Sequence, residues 1–159
     1  MHQNAHYNAL PMSAPPLGDF LARLPHRPPM RLVEEIVELI PGSLARARRL
    51  ARSTDWYFDG HFPGQPVVPA IVLVELLAQT GGLAAANADG DDRLQALRVA
   101  ALSDFKFPAP AGPGEMLEAS ARVVGRFGRL TKVEGTVTAD GRTVATGAVM
   151  LAEVPADRQ

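Results

Sequence analysis

The chain has 159 residues, of which 47% are hydrophobic and 21% are charged, and its formal net charge is −1. These values predict one ordinary globular domain and disfavour the strongly basic surface that nucleic-acid-binding proteins use. Cysteine is absent, and the four histidines do not have the spacing of metal ligands, so no metal site is expected.

Residues 1–16 carry Asn, Gln, Pro and Ser and show no sustained periodicity, so we expect a flexible N-terminal arm before a single domain over 17–155. The first residues lack the basic and apolar regions of a signal peptide, and no apolar run is long enough to cross a bilayer. The expectation is a cytoplasmic protein without membrane contact.

The first elements are a short helix and a hairpin. Apolar residues recur at helical spacing over 17–24, and Pro25 prevents the helix from continuing. Alternating patterns over 30–39 and 43–52, separated by Pro41-Gly42, then predict two antiparallel strands.

A long buried helix is predicted from Pro69 to Ala88, because this stretch lacks a polar face and proline suits a helix's first turn. Further strands are predicted near 94–107, 115–125, 130–139 and 142–153, and Asp140-Gly141 is a strong hairpin signal between the last two. One curved sheet covers only part of such an apolar helix, so we expect a second subunit to cover the rest.

Two residues carry the candidate chemistry. Glu75 lies in the middle of the apolar helix, where a carboxylate costs several kcal/mol unless it is paired or protonated. His61 lies in a Gly-Pro-rich turn fourteen positions earlier, and imidazole transfers protons near neutral pH.

The segment Gly60-His61-Phe62-Pro63-Gly64, with 66–69 and 73–79, resembles the signature of the hotdog-fold 3-hydroxyacyl-[acyl-carrier-protein] dehydratases of fatty acid synthesis. Leu24-Pro25-His26-Arg27, 105–115 and 133–151 resemble other parts of the same family, so the likeness covers roughly 17–153. It implies an α+β hotdog fold, in which a curved antiparallel β-sheet wraps a long central helix. It also implies a homodimer, or a larger assembly of dimers, in which His61 of one subunit faces Glu75 of the other.

The implied activity is dehydration of (3R)-3-hydroxyacyl thioesters on acyl carrier protein to trans-2-enoyl thioesters. No cofactor is implied, since 4'-phosphopantetheine arrives as part of the acyl-carrier substrate. For this reaction we expect His61 to take the C2 proton, and Glu75, its pKa raised by desolvation, to protonate the departing hydroxyl.

By resemblance, the backbone N–H of Ala70 stabilises the thioester oxygen, although the family usually has glycine at this position. Phe62, Gly64 and Gln79 are expected to position the substrate, and the His61-Phe62 peptide is expected to be cis.

Other interpretations stay open at this point. The chain is alternatively a hotdog thioesterase, whose carboxylate activates water, or a non-catalytic acyl-binding protein that keeps the two residues for dimer packing. Gln79 equally suits a backbone hydrogen bond, and His26 is interpreted as ordering the N-terminal loop. Residues 56–58 are expected in the core, Gly81-Gly82 is expected to allow close packing, and the arginines of 46–52 are expected on a solvated strand face.

Overall fold

The structure is a computed structural model that describes residues 16–88 and 93–155. The arm expected over 1–16 lies outside the described residues except for Pro16, which precedes the first helix. Helix α1 (Leu17–Arg23) buries Phe20 against the core. It ends at Leu24, whose backbone is extended because a residue that precedes proline disfavours the helical region. The predicted short helix is confirmed.

The predicted hairpin is formed by β1 (Glu35–Ile40) and β2 (Leu44–Leu50), which pair antiparallel. Gly42 in the connecting turn has a φ of 77°, a conformation that favours glycine. The first strand begins later than the expected position 30, because two N–H groups that precede it donate to the side chain of Gln79 rather than to a strand.

A 3₁₀ helix at Trp56–Phe58 follows the hairpin. Tyr57 and Phe58 are buried, as expected, but the prediction of a core position is wrong for Trp56, which is 46% exposed. Successive side chains of a 3₁₀ helix point in three different directions, so all three cannot face the same core.

Helix α2 (Ala70–Ala85) is the central element. It ends three residues before the predicted Ala88, because the backbone of Ala86 is already extended. A Cβ atom at Gly81 would lie 2.7 Å from Val133 Cγ2, so this glycine lets the helix approach the sheet closely, as expected.

Within the described residues, six strands form one antiparallel sheet in the order β1-β2-β4-β5-β6-β3. The four later strands are β3 (Leu97–Lys106), β4 (Met116–Phe127), β5 (Leu130–Ala139) and β6 (Arg142–Glu153), and a one-turn helix α3 (Arg93–Ala96) precedes β3. The turn between β5 and β6 is at Asp140 (φ 45°) and Gly141 (φ 82°), a pair of left-handed residues that matches the right-handed twist of a hairpin.

The sheet curves around α2, which contacts β2, β4, β5 and β6. This architecture is the hotdog fold that the sequence predicts. Cover is missing on one side, where the edge strand β3 is exposed over residues 98–104 and the first turn of α2 leaves Ile71 73% exposed. Among the described residues, no helix has the length and apolarity needed to cross a lipid bilayer.

Candidate active site

His61 lies in a tight turn between the 3₁₀ helix and α2. Gly60 and Gly64 flank this turn, and both have a φ of 81°, which glycine adopts without steric cost. The N–H of His61 donates to Phe58 O at 3.1 Å, and the N–H of Val67 donates to His61 O at 2.9 Å. Backbone hydrogen bonds on both sides therefore fix the place of the imidazole.

The hydrogen bond of the His61 ring identifies the nitrogen that carries a proton. Nδ1 lies 2.9 Å from Val67 O, and because a carbonyl only accepts, Nδ1 is the donor. In the neutral ring, Nε2 is then unprotonated and can accept a proton. The Phe62 ring stacks on the imidazole with the centroids 4.2 Å apart, and the peptide between the two residues is cis, as expected. Phe62 is 58% exposed.

His61 shares a cavity of about 350 Å³ with the start of α2. Ala70 lines this cavity as the first residue of the helix, so its N–H has no acceptor within the helix. The positive end of the helix dipole lies at the same place, which makes this N–H a suitable donor to an oxygen that gains negative charge. The rest of the lining is mostly apolar and includes Val67, Val68, Leu73 and residues 107–111.

Glu75 is 28% exposed, and two donors converge on one of its oxygens. His26 Nε2 lies 3.2 Å and Gln79 Nε2 lies 2.9 Å from Glu75 Oε1. Burial acts to raise the pKa of Glu75, but the hydrogen bonds from His26 and Gln79 and the attraction of His26 outweigh burial and hold the pKa below its usual value. The expected rise of this pKa is therefore wrong for the single protomer, since both donors stabilise the carboxylate.

Gln79 lies one turn after Glu75 on α2 and is 2% exposed. Besides its bond to Glu75, its Nε2 donates to Met30 O at 2.7 Å, and its Oε1 accepts from the N–H groups of Leu32 (2.9 Å) and Val33 (3.3 Å). Both amide protons and both lone pairs of the oxygen are thus used by the protein. An influence of Gln79 on the substrate would therefore act through Glu75.

Glu75 lines a second cavity, of about 380 Å³, that is distinct from the cavity of His61. Its walls are mostly apolar and come from the N-terminal loop, α2, α3, β3 and β6, including Leu24, Ala78, Leu94, Leu97 and Leu151. Gly82 also lines it, and a Cβ atom there would lie 3.3 Å from Leu94 Cδ1. A space of this size and character suits an extended apolar chain with a polar group at Glu75.

The structure brings His61 together with Ala70, and Glu75 together with Gln79, but it does not join the two groups in one protomer. Among residues 16–88 and 93–155, no hydrogen bond or ion pair connects His61 to Glu75. An exposed apolar surface on α2 and β3, including Ile71 and Leu102, lies beside them.

The contact of His26 with Glu75 is not predicted from the sequence, which indicates only that His26 orders the N-terminal loop. The motif Leu24-Pro25-His26-Arg27 was recognised, but no spacing rule indicates that His26 meets a residue 49 positions later. This contact depends on the tertiary fold, in which the N-terminal loop lies along α2.

The arginines of β2 are neutralised by neighbouring strands rather than left as an open basic face. Arg46 pairs with Glu38 and Glu118, at 3.2 Å and 3.0 Å, and Arg48 pairs with Glu35 at 2.8 Å. Arg49, however, points inward, is 6% exposed and is paired with Asp55 at 2.8 Å. The expectation of a solvated face is therefore wrong for Arg49, because burial of this side chain completes the alternating pattern of β2.

The fold and the site together define a hotdog protein with a proton-accepting histidine beside a helix N-terminus and a hydrogen-bonded glutamate on the same helix. The chain belongs to the FabA-like family, since the family model described as a FabA-like domain matches residues 24–148. This confirms the relationship that the motif around His61 indicates.

Curated relatives match most of the chain. The 3-hydroxyacyl-[acyl-carrier-protein] dehydratase FabZ of Myxococcus xanthus is 34% identical over 142 residues, which cover 89% of this chain and 93% of the relative. The FabZ of Herpetosiphon aurantiacus is 36% identical over 136 residues, covering 86% and 96%. The FabZ of Anaeromyxobacter sp. is 38% identical over 125 residues, covering 77% and 79%.

Solved structures share the fold at low sequence identity. The dehydratase heterocomplex ApeI:P from Xenorhabdus doucetiae matches with a TM-score of 0.65 and 16% identity, over 85% of this chain and 90% of that chain. The TT0310 protein from Thermus thermophilus matches with a TM-score of 0.62 and 21% identity, over 81% and 99%. These likenesses support the fold alone.

Proposed function

We propose that the protein dehydrates (3R)-3-hydroxyacyl thioesters on acyl carrier protein to trans-2-enoyl thioesters. Relatives named 3-hydroxyacyl-[acyl-carrier-protein] dehydratase are 34–38% identical over most of the chain. The observation that carries the proposal is the hydrogen bond from His61 Nδ1 to Val67 O, because it leaves Nε2 as the proton acceptor of a histidine that lines one cavity with the N-terminus of α2.

In the proposed reaction, His61 Nε2 takes the proton from C2 of the substrate. The negative charge that develops on the thioester oxygen is stabilised by the N–H of Ala70 at the start of α2. The C3–O bond breaks as Glu75 gives its proton to the leaving hydroxyl, so a water molecule departs and a C2=C3 double bond forms. A proton transfer from His61 to Glu75 then restores the starting state. These two side chains supply all the chemistry, so we propose no cofactor.

We propose that a second copy of the chain completes the site. The two residues line separate cavities of one protomer, and the surface beside them, with Ile71 at 73% and Leu102 at 50% exposure, is unusually apolar for contact with water. The edge strand β3 also offers unpaired backbone groups to an identical strand. A homodimer would cover both features and bring His61 of one subunit to Glu75 of the other, and dimers could assemble further.

The acid role of Glu75 depends on this assembly. In the protomer, hydrogen bonds from His26 and Gln79 hold the pKa of Glu75 below its usual value despite burial. In the assembled site, a bound acyl chain would remove the remaining water around Glu75, and desolvation favours the protonated form. We therefore propose that Glu75 becomes a proton donor only in the complete site.

A thioesterase is the second candidate, and the lowered pKa of Glu75 is the observation that favours it. A carboxylate that stays ionised suits the activation of water for attack on a thioester. A protein that only binds acyl chains would use the same apolar cavities without either reaction. The cytoplasmic location expected from the sequence remains a prediction.

The test is to mix the purified protein with crotonyl-[acyl carrier protein] and to follow enoyl absorbance and free thiol together. Dehydratase activity, measured in the hydration direction, consumes the enoyl absorbance without releasing thiol. Release of thiol would establish thioesterase activity instead. No change in either signal would favour a protein that only binds acyl chains. The His61→Ala protein is the control, because its absorbance should stay constant.

A further inference from the structure

The two donors that reach Glu75 both bind the same oxygen. His26 Nε2 and Gln79 Nε2 lie 3.2 Å and 2.9 Å from Oε1, and in the described part of the chain no hydrogen bond reaches Oε2. A carboxylate held at one oxygen by two donors has little freedom to rotate. The other oxygen is then the one left for contact with a ligand.

The surroundings of the His26 ring favour one tautomer. Its Nδ1 is buried and has no hydrogen-bond partner among the residues that the structure describes. A proton on Nδ1 would be a buried donor without an acceptor, whereas a bare lone pair there is less costly. In the neutral ring, the proton is therefore on Nε2, which is the nitrogen that faces Glu75.

The N-terminal loop that carries His26, residues 24–33, is fastened near this contact. The guanidinium of Arg27 donates from Nη1 to Leu24 O at 2.6 Å and to His26 O at 2.8 Å. On the other side of the contact, Gln79 holds the backbone of Met30. The imidazole is thus presented to Glu75 by a loop anchored both before and after it.

We propose that His26 is a positioning residue that fixes Glu75 through Oε1 and leaves Oε2 to exchange a proton with the substrate. The inference rests on the proposed function of Glu75 as an acid–base group. Within the described residues, the charged or titratable side chains that line this cavity are His26, Glu75 and Arg98, and the guanidinium of Arg98 donates to Gln95 O and Leu97 O. Of these three side chains, His26 is the one that contacts Glu75, so it can control the proton affinity of Glu75 together with the amide of Gln79.

The test compares variants that remove or keep the N–H donor. His26→Phe keeps a ring without a donor, His26→Met fills the space with a flexible chain, and His26→Gln places an amide nitrogen near the position of Nε2. The titration of the Glu75 carboxyl is followed by ¹³C NMR of protein labelled at glutamate, and the Glu75→Gln spectrum assigns the signal. The kcat and KM for dehydration are measured on the same proteins.

We expect the Glu75 titration to move to higher pH in His26→Phe and His26→Met and to stay near that of the original protein in His26→Gln, because a lost donor destabilises the carboxylate. The kcat should fall roughly 10-fold in the two donor-free variants, with KM changed less than about 2-fold, and recover in His26→Gln. Equal titrations in all the proteins, or equal kcat losses in His26→Gln and His26→Phe, would overturn the inference. The NMR result does not depend on dehydration, so failure of the proposed function alone would appear as a shifted titration in a protein without activity.

Discussion

Gln79 and Glu75 lie one turn apart on α2, and the amide nitrogen of Gln79 donates to Glu75 Oε1 at 2.9 Å. The same side chain accepts hydrogen bonds from the backbone of Leu32 and Val33 and donates to Met30 O. One buried amide therefore holds both the candidate acid and the loop that carries His26. The geometry of the site and the stability of the fold are coupled through this residue.

The first prediction is that Gln79→Leu lowers the free energy of unfolding by about 2–4 kcal/mol, because buried backbone groups of the N-terminal loop lose their partner. Leucine has a similar volume, so cavity formation contributes little. Urea unfolding at fixed protein concentration measures the change. Gln95→Leu is the matched control, since Gln95 is exposed and its loss should change stability by no more than about 0.5 kcal/mol. Equal effects of the two substitutions would mean that the hydrogen bonds of Gln79 do not stabilise the fold.

The second prediction concerns acid stability. The pKa of Glu75 is lowered in the fold, so its ionised form stabilises the protein above the pKa of an unfolded glutamate, about 4.3, and this contribution is lost as the pH falls further. Stability should therefore decline more steeply below about pH 4.5 in the original protein than in Glu75→Gln. Urea midpoints from about pH 7 to about pH 3 test this.

Glu134→Gln is the control for acid stability. The Glu134 side chain is 55% exposed, so this substitution makes the same chemical change on the surface. Its pH dependence should follow that of the original protein. A Glu75→Gln protein with that same dependence would show that the donors at Oε1 do not favour the carboxylate.

The fold could be predicted largely from local signals. Asp140-Gly141 permits two consecutive left-handed residues, and the strands on both sides follow directly. The stretch after Pro69 is also a local signal, because it is apolar on all sides and therefore predicts a buried central helix. The predicted end of the helix lies three residues too late, because the alanines at 86 and 88 continue a helical pattern that the backbone does not follow.

The candidate site was predictable only in part. His61 and Glu75 are identified from residue type and spacing. Their protons, however, are governed by the hydrogen bond that His61 donates to Val67 O and by the contacts of His26 and Gln79 with Glu75. The expectation of a raised pKa considers only the desolvation of Glu75, and it omits the hydrogen bond from Gln79 on the same helix as well as the contact with His26. The donor from His26 is brought by a loop far away in sequence, and no local pattern indicates it.

The third prediction is that His61→Ala and Glu75→Gln each lower dehydration by roughly 100-fold or more while the fold and the dimer persist. Because we propose that each site uses both subunits, a heterodimer of these two variants contains one intact site and should regain about half of the original activity. Differently tagged chains, expressed together and purified through both tags, provide this heterodimer.

The control for the heterodimer pairs an unchanged chain with a chain that carries both substitutions. Every shared site in that dimer lacks one of the two residues, so it should be inactive. Sites contained within one subunit would reverse the result, leaving this control about half active and the first heterodimer inactive. Either outcome shows whether the His61 and Glu75 of one site come from the same subunit or from two different subunits.

The last prediction concerns Ala70, which lines the cavity of His61 and stands where the resemblance to the dehydratase family implies glycine. Ala70→Gly should keep the N–H in place at the helix start, where glycine costs little, and should widen the space beside the thioester. We expect equal or higher turnover, with the larger gain on longer acyl chains, and the opposite trend for Ala70→Val. Steady-state rates on a series of hydroxyacyl carrier substrates measure both variants. Loss of activity in a folded Ala70→Gly protein would show that the oxyanion donor lies elsewhere, since that substitution removes no hydrogen-bonding group and leaves the backbone N–H available.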